Sequence, residues 1–175
     1  LAALAVYGED SSASGMISRA LVRYNTGFWP FWREHGSENG GSFKSGWYTT
    51  VAAEFNYEVF AAWKSATGKN LYQAEAPWFK PLSDWYLYTL RGDLSWWRHG
   101  DVVMQDGVDE IERYILLQIA GEYGSGEAQW LANKIRDHLG CWGPKAVRDI
   151  MYYSPDVAAT VPKGSLSRHF RGCGM

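Results

Sequence analysis

The stretch GVDEIERYILLQIAGEY, Gly107–Tyr123, decides the fold class. Val108, Ile111, Ile115 and Ile119 recur at three- and four-residue intervals, the period of a helix with one apolar side. Working outward, Glu127–Leu139 reads as a shorter helix ended by the Gly140 and Gly143 breaks, and Pro144–Tyr152 as a last short one. Upstream, Pro77–Arg91 begins with Pro at the first helical position and holds Leu82, Trp85, Tyr86 and Tyr88. Trp47–Thr67 carries Val51, Phe55, Val59 and Ala62 on one stripe, with Gly68 as its stop. Ser14–Gly27 carries Ile17, Leu21 and Tyr24. No window sustains the two-residue alternation of a half-buried strand. The expected class is therefore all-α, built of helical hairpins joined by alternating short and long connections, as in an α-solenoid or an α/α toroid.

Two connections stand out. His35–Gly46 (HGSENGGSFKSG) is too long for a tight turn and too rich in glycine for a helix. Arg91–Asp101 (RGDLSWWRHGD) mixes charge with two tryptophans. Loops of this kind on a rigid scaffold are where binding and catalytic groups concentrate. From Ser154 the chain loses its helical stripe and gains Pro, Gly and β-favouring residues. The expected organisation is a helical segment over 1–153, then a linker and the first strand of a further, β-rich domain over 154–175. Leu1–Gly8 begins inside an apolar, helix-favouring run with no cap before it, so the natural start is expected upstream.

The 175 residues, 46% of them apolar, suffice for one substantial core. Seventeen basic and 19 acidic side chains are interleaved, with a formal net charge of -2, which leaves no electrostatic footprint for nucleic acid. No apolar run is long enough to span a bilayer. Cys141 and Cys173 are too few to define a disulfide framework. The ten Trp, eleven Tyr and seven Phe are suited both to core packing and to stacking on sugar rings.

Five segments follow one another: GGSFKSGWY (Gly40–Tyr48), AAWKSATGKNLYQ (Ala61–Gln73), WYLYTLRGD (Trp85–Asp93), HGD (His99–Asp101) and EAQWLANKI (Glu127–Ile135). Their order resembles the heparinase II/III-like polysaccharide lyases of bacteria. LSRHFRGCGM (Leu166–Met175) is similar to the opening strand of that family's β-sandwich domain. The resemblance implies the C-terminal part of an α/α toroid, a periplasmic or secreted setting, and eliminative cleavage of uronate-containing polysaccharide. In that chemistry a base removes the proton beside the uronate carboxylate, and the glycosidic oxygen leaves with a proton. A tyrosine can do both once positive charge or hydrogen-bond donors favour its phenolate.

By the resemblance, the position of the catalytic tyrosine falls on Tyr48, at the start of a helix whose N-terminus favours negative charge. Packing beneath the loop is the alternative role for Tyr48. His35, Glu38, Asn39, Lys44 and His99 are expected to contact substrate, and Trp47, Trp96 and Trp97 to stack on sugar rings. The pair His35 and Glu38 could equally be solvated loop polarity, since two ligands make no zinc site. No metal or cofactor is expected. His99 and Asp101 fit a sugar-binding edge or, equally, a turn in which Asp101 or Asp106 caps the following helix. The family's remaining site groups come from earlier helices and the β-domain, so this chain alone is expected to be nearly inactive. Two rivals stay open: an α/α-toroid glycoside hydrolase using carboxylates among Asp84, Asp93, Asp101 and Asp106, and a non-catalytic glycan-binding helical repeat.

Overall fold

The computed structural model describes residues 1–28, 30, 40–42, 45–98, 107–140, 146–165 and 167–170. Its secondary structure is helical: α1 (Ala2–Ala5), α2 (Ala13–Arg23) with a π turn over Tyr24–Phe28, α3 (Gly46–Thr67), α4 (Leu71–Ala74), α5 (Ala76–Phe79), α6 (Leu82–Thr89), α7 (Glu110–Tyr123), α8 (Gly126–Leu139) and α9 (Ala146–Tyr152). The only β pairing among the described residues is a pair of isolated bridges, Leu90 with Trp96 and Ser95 with Gly107. The fold is all-α. None of the described helices is long and apolar enough to cross a membrane.

The opening stretch is the centre of the molecule. Every residue from Glu112 to Ala120 on α7 is buried, because α7 is covered by α8, α3 and α9. Gly124, in the left-handed conformation at φ 66°, ends α7. Ser125 then caps α8 by accepting from the Ala128 amide at 3.2 Å, so the chain reverses within two residues into a hairpin. The cap of α7 is Asp109, paired in a capping box with Glu112. Asp101 and Asp106, the expected caps, lie outside the described residues.

Helix α3 runs as expected and stops at Gly68, φ 71°, but it buries a different face. Ala53, Tyr57 and Phe60 are in the core, whereas Phe55 is 63% exposed. The helix is apolar nearly all round, so its own periodicity does not choose a side. The choice comes from tertiary partners: the Tyr57 hydroxyl donates to the Phe79 carbonyl at 2.9 Å, and Tyr57, Phe60, Tyr72 and Phe79 meet edge-on or tilted at 4.7–5.7 Å.

The expected helix over Pro77–Arg91 is two helices, α5 and α6. Pro81 interrupts it, having no amide hydrogen to continue the ladder. The tail from 154 also differs from expectation. Its described residues contain no strand and lie against the helices. Phe170 is 3% exposed, its ring 5.2 Å from that of Trp85. The Thr160 amide donates to Gly126 O at 2.9 Å, and the Tyr88 hydroxyl to Ser165 O at 2.8 Å. Phe170, Thr160 and Ser165 of the tail thus pack on the helices.

Two charged staples hold α9. Arg148 reaches Glu54 and Glu58 on α3 at 2.7 and 2.8 Å, and the buried Arg113 of α7 reaches Asp149 at 2.9 Å.

Candidate functional site

Ser45 and Gly46 turn the glycine-rich connection into α3. Gly46 has no room for a side chain: a β-carbon would stand 2.4 Å from the Trp96 ring. Gly40 sits at φ 71°, and a β-carbon there would stand 2.3 Å from the Pro81 carbonyl group, so both conformation and space require glycine. The Thr49 hydroxyl bonds back to Ser45 O at 2.9 Å, stiffening the first turn. Ser42, Ser45, Thr49 and Thr50 are buried.

The second connection is folded equally tightly. Asp93 accepts from the Ser95 amide and hydroxyl at 2.9 and 2.6 Å, and these bonds hold its carboxyl below the usual carboxylate range. The Arg91 amide donates to Ser95 O at 2.8 Å, and Leu94 adopts φ 63°. This turn delivers Trp96 to Gly46 and so joins the two connections that the sequence singles out.

Of the expected site residues, Tyr48 is 46% exposed on the first turn of α3, Trp47 beside it is half-buried, and Trp97 is 53% exposed. Trp96 is corrected. At 1% exposure, with its ring against Gly46, it offers no face to a sugar and serves as the packing link between the connections. His35, Glu38, Asn39, Lys44 and His99 lie outside the described residues, as do Cys141 and Cys173.

No family model, curated protein or solved structure matches the chain. Its chemistry is therefore read from its own groups.

Behind the first turn of α3 lies a buried carboxyl. Glu112 is fully buried, and one oxygen accepts from the Asp109 amide at 2.7 Å. The Thr50 hydroxyl, which meets the Tyr86 phenol at 3.3 Å, also acts on the Glu112 carboxyl and lowers it. Burial pushes Glu112 up to about 7 from an ordinary 4.5, against the opposing pull of the amides.

Sequence reasoning missed a cleft of about 780 Å³ among the described residues, between α6, α8 and the tail. Tyr88, Arg91, Trp130 and Lys134 line it, together with Val161 and Pro162 of the tail. Lys134 Nζ stands 5.7 Å from the centre of the Trp130 ring. The available signal is the four-residue spacing of Trp130 and Lys134, which puts both on one side of α8. Helical periodicity alone does not distinguish that side from any other solvated face.

Among the carboxylates of the cleft, Asp84 is bridged by Arg168 of the tail, Asp93 is held by Ser95, and Asp137 by Arg136 at 3.0 Å. Arg91 adds a favourable charge interaction to Asp93, and Lys134 stands over the Trp130 ring.

Proposed function

We propose that this chain is the helical part of a polysaccharide lyase, an incomplete α/α toroid of a periplasmic or secreted protein that cleaves uronate-containing polysaccharide. Tyr48 is its acid/base. As phenolate it takes the proton beside the uronate carboxylate. The electrons form the carbon–carbon double bond, the glycosidic carbon–oxygen bond breaks, and the phenol returns its proton to the leaving oxygen.

The observation that carries this reading is the placement of Tyr48: a solvent-facing phenol on the first turn of the longest described helix, where backbone amides favour negative charge. Gly46 packed on Trp96 fixes that turn, and a positioned general base needs such rigidity. His35, Glu38, Asn39, Lys44 and His99 are the proposed donors to phenolate and substrate, with Trp47 and Trp97 as stacking faces. The hydrolase alternative is less well supported. Asp84 and Asp93 line one cleft, yet Asp84 is ion-paired with Arg168 and Asp93 is held below the usual carboxylate range by Ser95, which leaves Asp93 unsuited to act as the acid.

The test is Tyr48→Phe in the full-length protein, followed by the ultraviolet absorbance of the unsaturated product. Turnover is expected to fall by about 10²-fold or more with an unchanged melting temperature. Retained turnover refutes the role of Tyr48, and a full-length protein that releases no unsaturated product from any uronate polymer refutes the lyase reading.

A further inference from the structure

The two helix starts that meet behind Tyr48 are built in opposite ways. At the start of α7, Asp109 and Glu112 close a capping box. At the start of α3, Ser45 makes no side-chain capping bond. Its hydroxyl and the indole N–H of Trp96, whose ring lies against Gly46, are both buried and find no hydrogen-bond partner among the described residues. Buried polar groups left in that condition disfavour the closed arrangement, so packing holds the first turn of α3 against a penalty.

Glu112 joins these two starts. Its buried carboxyl accepts from the Asp109 amide at 2.7 Å and is acted on by the Thr50 hydroxyl of α3. Thr50 also meets the Tyr86 phenol at 3.3 Å, and the Tyr86 ring stands 5.7 Å from that of Trp96. A contiguous path therefore runs from Glu112 through Thr50, Tyr86 and Trp96 to Gly46. We propose that Glu112 is a proton-operated catch on the first turn of α3: neutral, it keeps the turn seated, and ionised, it favours release of the turn to water.

The direction follows from the unequal response of the two sides to ionisation. On the α7 side, the bond from the Asp109 amide strengthens when its acceptor is charged. On the α3 side, the covering helix withholds water, and burial is what pushes the carboxyl up to about 7. Lifting the uncapped start of α3 thus brings water to the carboxylate while keeping the capping box. The surrounding charges do not offset the burial. Asp109 acts in the same direction as burial. On α6 the facing titratable group is the Tyr86 phenol, which Glu54 of α3 also acts on. Glu54 and Glu58 take Arg148 of α9, Arg113 of α7 is turned to Asp149, and Glu110 accepts from the Tyr114 hydroxyl. Helix α8, packed on α7, buries Ala128, Leu131, Ala132 and Ile135, none of which carries charge.

Tyr48 rides on this turn, yet the inference stands on the packing and does not rest on the role proposed for that phenol. Hydrogen exchange of the full chain, corrected for the intrinsic pH dependence of amide exchange, is followed over residues 49–53 and, as the reference for opening of the whole chain, over residues 128–135. Residues 49–53 are expected to be less protected than the reference. Their protection is expected to fall about tenfold between about pH 6 and about pH 8, as for an opening that exposes a carboxyl held at about 7 in place of 4.5. Glu112→Gln is expected to abolish that fall. Thr50→Val removes a hydroxyl that lowers the Glu112 carboxyl and is expected to move the fall to higher pH. Protection insensitive to pH in the unsubstituted chain, a fall that persists in Glu112→Gln, or residues 49–53 that open only together with residues 128–135 would each overturn the proposal. No substrate enters these measurements, so failure here leaves the Tyr48 reading standing, and the reverse also holds.

Discussion

Gly46 lies beneath the indole of Trp96 so closely that a β-carbon would stand 2.4 Å from the ring. The helix carrying Tyr48 is seated by this contact. Gly46→Ala should therefore cost about 1–3 kcal/mol through overpacking, although alanine is the better helix former. Gly15, inside α2, has room: a β-carbon there would meet only the tip of Arg19, at 3.7 Å. Gly15→Ala should behave oppositely, gaining roughly 0.5–1 kcal/mol. Denaturant unfolding of the two variants checks the pair. Equal effects of the same sign would show that the Trp96 contact carries no weight.

Glu112 makes stability depend on pH in an uncommon direction. Its folded value, about 7, lies above the unfolded one near 4.5. The stability it contributes is then complete below pH 4.5 and is lost as pH rises through 7. The loss, set by the difference between these values, is about 3 kcal/mol as an order of magnitude. Glu112→Gln keeps an oxygen for the Asp109 amide and removes the titration, so its melting temperature should change less between about pH 5 and about pH 8 than that of the unsubstituted chain. Parallel pH profiles for the two proteins would contradict this.

Arg113 is 2% exposed and relies on Asp149. Asp149→Ala leaves a buried guanidinium without its carboxylate and should destabilise by about 3 kcal/mol. Asp137→Ala removes an ion pair whose two side chains are 46% and 67% exposed, and should cost less than about 1 kcal/mol. Chemical denaturation ranks them.

The phenols of Tyr57, Tyr72 and Tyr86 are all pushed up, first of all by burial. Because their folded values exceed the unfolded one near 10, the stability they contribute is present below about pH 10 and lost above it. An ultraviolet titration should show these three silent near pH 10 and ionising only as the chain unfolds. Ionisation of all eleven tyrosines in one reversible step would contradict their burial.

How much of this was legible depended on where the deciding information lay. α7, α8 and the Gly68 stop of α3 were readable because local periodicity and glycine punctuation specify them. The buried face of α3 was not, because Val51, Phe55 and Val59 are as apolar as Ala53, Tyr57 and Phe60; tertiary partners distant in sequence, the Phe79 carbonyl and the Tyr72 and Phe79 rings, choose between them. The break at Pro81 is locally written but masked by the aromatic run around it. Tyr48, on the first turn of α3, and Trp97 are exposed, whereas Trp96 is buried against a glycine distant in the sequence. The cleft could not be seen at all from single segments. It exists because WYLYTLRGD, EAQWLANKI and the tail converge, and no spacing within one segment encodes that meeting.

The tail sets an order of assembly. Phe170 closes over Trp85, and Val161 and Pro162 form a wall whose other side is built by helices made much earlier. During synthesis the hairpin of α7 and α8 can form as soon as it leaves the ribosome, whereas Trp85 keeps an open flank until residue 170 has emerged. A nascent chain paused before that point would present this aromatic flank to chaperones, and a protease cutting within 154–169 would return the molecule to the same half-finished state.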